Sequence, residues 1–321
     1  MTKVLFKIFI IITLFFLSGC YNKKDNFILK VGISSWPGYE PLALALDKNL
    51  YKDVNIKIIR FATPTDAYRA LRDGIIDVSA FTADEVFPYA QAHRKPRIFL
   101  VLDISNGGDA IVAHSKIKNI DELSGKKIGL EDTTLAHYML ERSIDFSTNL
   151  KTTDLKLIPM EMSQQLNNFK ESKIDAAITY EPTKSLLLNA GGHVLFDSTQ
   201  IPNEIVDILV TNEETILKKK EALKQLTKGW FRAIKYIDKN HEQAMSKMAK
   251  YEGISTKDFT DAYNQLIIPS KSENIKMLSD AKTLIAPMKK LSKLLYEQGS
   301  IKAQIDVKLI LDGSIIKELE D

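Results

Sequence analysis

The 321-residue sequence has one cysteine, so it holds no internal disulfide and no cysteine-rich zinc site. Its five histidines (His93, His114, His137, His193 and His241) include no pair at helical metal-ligand spacing. No metal and no other cofactor is expected. The 44 Lys and Arg nearly balance the 41 Asp and Glu, and no dense basic block occurs. A net charge of +3 is too small a footprint for a nucleic-acid partner. The glycine patterns GxGxxG, GxxxxGK[ST] and GxSxG are all missing. Gly125-Lys126-Lys127 lacks the upstream Gly and the Ser/Thr of a phosphate loop and reads as a turn before a strand. His241-Glu242 has no second His behind it, so it is not a zincin motif. An enzymatic reading is left without support, and the chain is expected not to be an enzyme.

What is present begins at the N-terminus. In MTKVLFKIFIIITLFFLSGC, Lys3 and Lys7 precede an apolar run from Ile8 to Leu17, broken only by Thr13. Such a run is too short to span ~30 Å of hydrocarbon and fits the core of a signal peptide. Leu17-Ser18-Gly19-Cys20 resembles a bacterial lipobox, and the protein's one cysteine stands at its end. Residues 1–19 are read as a lipoprotein signal peptide, Cys20 as the lipidated mature N-terminus, and residues 20–26 as a polar tether. Cleavage removes two lysines and no acid, lowering the net charge from +3 to +1. No later run approaches the ~18 apolar residues of a membrane span. The mature protein is therefore expected to be extracytoplasmic and anchored to the membrane by lipid alone.

From residue 28 onward short β-rich runs alternate with helical ones, the signature of an α/β protein. Strands are predicted at Ile28–Ile33, Val54–Phe61, Asp77–Phe81 and Arg97–Ile104, with helices near Pro41–Lys48 and Thr65–Asp73. Thr82-Ala83-Asp84-Glu85 matches a capping box. The alternation resumes with strands at Ile111–His114, Lys127–Leu130, Leu155–Met160, Ile174–Thr179 and His193–Phe196. It implies parallel sheets. Beyond residue 213 the chain is mainly helical, and Leu284, Met288, Leu291 and Leu295 form an apolar stripe read as core. Lobe 1 is expected at 27–109 and 206–321, and lobe 2 at 110–205. Asp109–Ala113 and Asp207–Thr211, both acid-headed and apolar, are read as paired hinge strands.

Ligands of open α/β sheets lie beyond the carboxyl ends of strands, near helix N-termini. Ser35, Trp36 and Tyr39 follow the first strand and supply hydroxyl and aromatic groups, although Trp36 also suits packing between lobes. Thr82 follows the third strand, as an N-cap or a ligand contact. Thr133 and Thr134 open a helix and offer hydroxyls and amides, while Glu131 and Asp132 beside them would repel an anion. Tyr180 offers a ring to stack on, and Glu181 an acceptor for an amine or hydroxyl.

Together, VGISSWPGYEPLALALDKNLY, DGIIDVSAFTADE, LSGKKIGLEDTTLAHYML and DAAITYEP resemble ABC-transporter solute-binding proteins of the nitrate/sulfonate/taurine type. The same superfamily includes proteins similar to the yeast thiamine-pyrimidine synthase. The resemblance implies a type II periplasmic-binding-protein-like fold, with two α/β lobes and a helical C-terminal part. It also implies a small polar solute in the interlobe cleft and an ABC permease in the inner membrane as partner; a monomer is expected. Matching site positions are Ser35, Trp36, Tyr39, Thr82, Thr133, Thr134, Tyr180 and Glu181. Relatives often carry a Gly-Ser pair where this chain has Asp132-Thr133-Thr134. That departure, and the lack of Arg or Lys among the proposed contacts, favours a pyrimidine or amine over a nitrate- or sulfonate-like solute. An extracytoplasmic sensor module is the alternative reading, with a thiamine-pyrimidine-type enzyme behind it.

Overall fold

The computed structural model describes residues 28–92, 94–279 and 284–319. The residues read as signal peptide (1–19), lipidated Cys20 and tether (20–26) lie outside the described residues. Among the described residues there are eleven strands: β1 (Ile28–Ile33), β2 (Asn55–Arg60), β3 (Val78–Thr82), β4 (Pro96–Ser105), β5 (Asp109–His114), β6 (Lys127–Leu130), β7 (Lys156–Pro159), β8 (Ala176–Tyr180), β9 (Gly192–Asp197), β10 (Val206–Asn212) and β11 (Leu266–Ile267). They form a six-stranded sheet of order β11-β4-β10-β3-β1-β2 and a five-stranded sheet of order β7-β6-β8-β5-β9. The expected α/β class is what the structure shows.

Local sequence explains the elements. In β1 the alternating Leu29, Val31 and Ile33 are fully buried, and the following residues turn into a helix at Glu40–Asp47. The helix Pro64–Arg72 starts with Thr63, whose hydroxyl accepts from the Asp66 amide at 3.1 Å, and with Pro64 at a position that needs no amide. Leu284, Met288, Leu291 and Leu295 are all buried, as the stripe predicts. After Asn212 caps the helix Glu213–Lys239, the described remainder is almost entirely helical.

Two expectations about the strands are corrected. The sheets are mixed rather than parallel, because β10 runs antiparallel to both β3 and β4, and β5 antiparallel to both β8 and β9. Nor do the acid-headed strands pair with each other, since β5 and β10 belong to different sheets. The chain crosses between sheets at 106–108 and returns at 198–205. These crossings are joined by Ser198, whose hydroxyl meets Ser105 Oγ at 2.8 Å and accepts from the Gly107 amide at 2.7 Å. Both acids consequently stand at the crossing, Asp207 opposite Thr82 and Asp103, and Asp109 opposite Tyr180.

Candidate functional site

The segment after β1 enters the space between the sheets through Trp36, which is 5% exposed. Its indole N–H donates to both carboxylate oxygens of Asp103 on β4, each at 3.3 Å. Gly38 makes room for this contact: a Cβ there would lie 1.9 Å from Asp103 Oδ2. The Tyr39 hydroxyl donates to Asp207, and Thr82 Oγ1 donates to the same Asp207 oxygen at 3.2 Å. This corrects the capping-box expectation. Thr82 makes no side-chain cap, because its hydroxyl is committed to the neighbouring strand, and Glu85 Oε2 is buried without a partner.

The facing wall comes from the second sheet and its helices. Thr133 caps the helix Thr134–Ile144, accepting from the Ala136 amide at 3.3 Å. Thr134 instead reaches across, its hydroxyl donating to Asp84. The Tyr180 hydroxyl donates to Glu131 Oε2 at 3.1 Å, and Glu131 also accepts from the Met162 amide at 3.2 Å. The Tyr180 ring meets Trp36 edge-on, with centroids 6.1 Å apart and planes at 74°. Asp109 is 3% exposed, and its Oδ2 has no hydrogen-bond partner.

Three cavities run through this space. The innermost, about 30 Å³, is walled by Ser35, Trp36, Tyr39, Thr82, Tyr180 and the two acids Asp109 and Asp207. A second, about 10 Å³, shares Asp109, Leu135 and Tyr180 with it and adds Glu131 and Thr133. The outermost, about 490 Å³, shares Glu131 and Thr133 with the second and carries Asp66, Asp132 and Glu161. Arg69 is the single basic residue lining any of the three, and it pairs with Asp66 at 3.6 Å.

Six of the eight sequence-selected residues therefore line these cavities. Thr134 does not, its hydroxyl being held by Asp84. Glu181 does not either. It is fully buried, accepting from the Ser185 amide and hydroxyl and from Gln265 Nε2, all at 3.1 Å, with Lys184 Nζ 3.9 Å away. The expectation of a free acceptor there is corrected: local donors take its oxygens. The Ser35 hydroxyl is also engaged, donating to Glu252, which accepts from the Trp36 amide at 3.1 Å as well.

Sequence reading passed over the acids. Asp109 and Asp207 were visible as heads of apolar strands, but Asp103 is hidden inside RIFLVLDI and Asp84 resembles an ordinary first-turn acid. Burial raises the carboxyl of Asp207 to about 6, and those of Asp84 and Asp109 to about 7. Asp103 is pushed well up by burial and then by the charge of Asp207. Among the described residues no group of three or more His, Cys, Asp and Glu is placed to hold a metal ion.

The profile of the NMT1-like family matches residues 23–251. A Brucella abortus protein named as a binding protein is 22% identical over 298 residues, covering 88% of this chain and 90% of its own. The periplasmic aliphatic sulphonate binding protein SsuA from Escherichia coli superposes with a TM-score of 0.76 at 17% identity, over 91% of this chain and 99% of that one. The desulfurization enzyme DSZB has a TM-score of 0.67 at 12% identity, over 90% and 97%. The fold is thus that of periplasmic binding proteins, and it is shared by an enzyme.

Proposed function

Since the chain belongs to the NMT1-like family, we propose that it is a lipid-anchored solute-binding protein that delivers a small polar solute to an ABC importer. Cys20 carries the lipid, residues 20–26 are the tether, and the folded part works outside the cytoplasm. Lobe 1 (27–109 and 206–321) and lobe 2 (110–205) close on the solute and present the closed form to a permease in the membrane.

The observation that carries this reading is the interlobe contact set. Trp36 lies against Tyr180, Thr134 is bonded to Asp84, and the innermost cavity takes walls from both sides. A solute bound there touches both lobes, so it favours the closed arrangement by its differential affinity for it. The wall of the innermost cavity contains no His, Cys or Lys, so no nucleophile meets an imidazole base.

Small-angle scattering tests the reading. A solute that binds should reduce the radius of gyration, and binding without compaction would contradict it. The anchor is tested separately: Cys20→Ala should abolish fatty-acid incorporation, and persistent labelling of the variant would remove Cys20 from the account.

A further inference from the structure

Outside the cleft, the two fully buried acids among the described residues, Glu40 and Glu181, each have a basic partner. Glu40 forms a two-pronged bond with Arg60 at 2.5 and 2.6 Å. Glu204 is bonded to Arg142 at 2.6 Å and to Lys290 at 2.8 Å, and Glu181 lies beside Lys184. The cleft breaks this pattern. Asp84, Asp103, Asp109 and Asp207 are each 3% exposed or less, and among the described residues none is in an ion pair. Their partners are neutral hydroxyls and an indole, from Thr134, Tyr39, Thr82 and Trp36, and Asp103 and Asp207 also bond each other.

Two oxygens have no partner at all, Asp84 Oδ1 and Asp109 Oδ2. Asp109 lines both inner cavities, and its partnerless Oδ2 is buried beside them. The nearest buried cation, Lys184, donates to the Gly107 carbonyl at 2.5 Å and to Gln265, and it is matched by Glu181. Burying unmatched carboxylates is costly unless they take up a proton or an opposite charge arrives.

Resting on the solute-binding reading, we propose that the solute is a small organic cation, a protonated amine or amidine on a flat or short apolar body. Its charged head lies against Asp109 and Asp207, beside the rings of Trp36, Tyr39 and Tyr180. A cation gains from carboxylates and from aromatic faces alike, whereas a sulfonate or nitrate would meet no basic side chain in the two inner cavities. The outer cavity extends the same field, with Asp66, Glu131, Asp132 and Glu161 against one arginine. A lining dominated by acids draws cations inward. The acids do not converge as metal ligands among the described residues, which favours an organic cation over an inorganic one.

The test is a binding and melting panel on the full chain in detergent. Benzamidine, phenethylamine and choline form the cationic arm; MOPS, ethanesulfonate and nitrate the anionic arm; calcium and zinc the inorganic arm. At about 10 mM any probe with a millimolar or tighter Kd raises the melting temperature measurably. At least one organic cation should stabilise the protein, and the anions and metals should not. Asp109→Asn should lower that cation's affinity at least ~10-fold while leaving the unliganded melting temperature at pH 8 unchanged or higher. Glu171→Gln, outside all three cavities, should change neither.

Stabilisation by the anions or metals alone, or none by any organic cation, overturns the proposal. So does unchanged cation binding in Asp109→Asn. Compaction in scattering with a bound anion would sink the cation assignment while leaving the solute-binding reading intact.

Discussion

Trp36 and Asp103 are joined by an indole N–H that reaches both carboxylate oxygens at 3.3 Å, with Gly38 cleared beneath them. The contact links the loop after β1 to the strand that leads out of the first sheet. It also makes Trp36 part of the core and of the cavity wall at once.

Replacing the indole with a ring that lacks the N–H isolates the polar part of this contact. Trp36→Phe should cost about 1–3 kcal/mol, because Asp103 loses a donor in a buried place. Urea denaturation with an unchanged m value would show it. A variant as stable as the parent would mean that the indole N–H contributes nothing to holding Asp103.

Gly38 gives a steric test of the same geometry. In Gly38→Ala the new methyl would lie 1.9 Å from Asp103 Oδ2 and 2.7 Å from Trp36 Nε1, so one of them must move. Destabilisation of about 1–3 kcal/mol is expected, with a red-shifted Trp36 emission. Alanine tolerated without either change would refute the close approach.

The cleft acids set a pH dependence. Unfolded Asp titrates near ~3.9, whereas burial holds Asp84 and Asp109 near 7 and Asp207 near 6 in the fold. Between these values the folded chain binds protons that the unfolded chain has lost. Stability contributed by the protonated forms is complete below the unfolded pKa and is lost as pH rises through 6 to 7. Glu204, lowered mainly by Arg142 against the cost of its burial, acts at more acidic pH and does not offset the loss. The unliganded melting temperature should therefore fall from pH 5 to pH 8, and a rise over that range would contradict the burial of these acids.

A fourth expectation concerns the helical part. Asn274 is fully buried and clamps β4, with Oδ1 accepting from the Val101 amide at 2.7 Å and Nδ2 donating to the Val101 carbonyl at 3.0 Å. Asn274→Ala strands both backbone groups, so a loss of about 2–4 kcal/mol is expected from chemical denaturation. A change below ~0.5 kcal/mol, the usual range of surface substitutions, would show that other groups take over.

The fold was legible where periodicity carries it. β1, β4 and the stripe through Leu291 read correctly because apolar spacing reports burial directly. Strand direction was not legible: β5 and β10 look like the other short apolar strands, and only the crossings reverse them. At the site, Trp36, Tyr39 and Tyr180 stood out because they follow strand ends. Asp103 did not, since an acid within an apolar strand shows no sign of facing Trp36 and Asp207 until the sheet is assembled. Glu181 misled for the opposite reason, its oxygens being taken by Ser185 close in sequence and Gln265 far from it.

The central claim is that the solute sits against Trp36 between the two sheets. The chain has two tryptophans, and Trp230 is fully buried in the helix Glu213–Lys239, so Trp230→Phe leaves Trp36 as the sole reporter. Fluorescence of that variant, titrated with the organic cation that stabilises the protein, should change saturably with the Kd found by calorimetry. Saturable heat with an unchanged Trp36 emission would place the solute elsewhere and contradict the account.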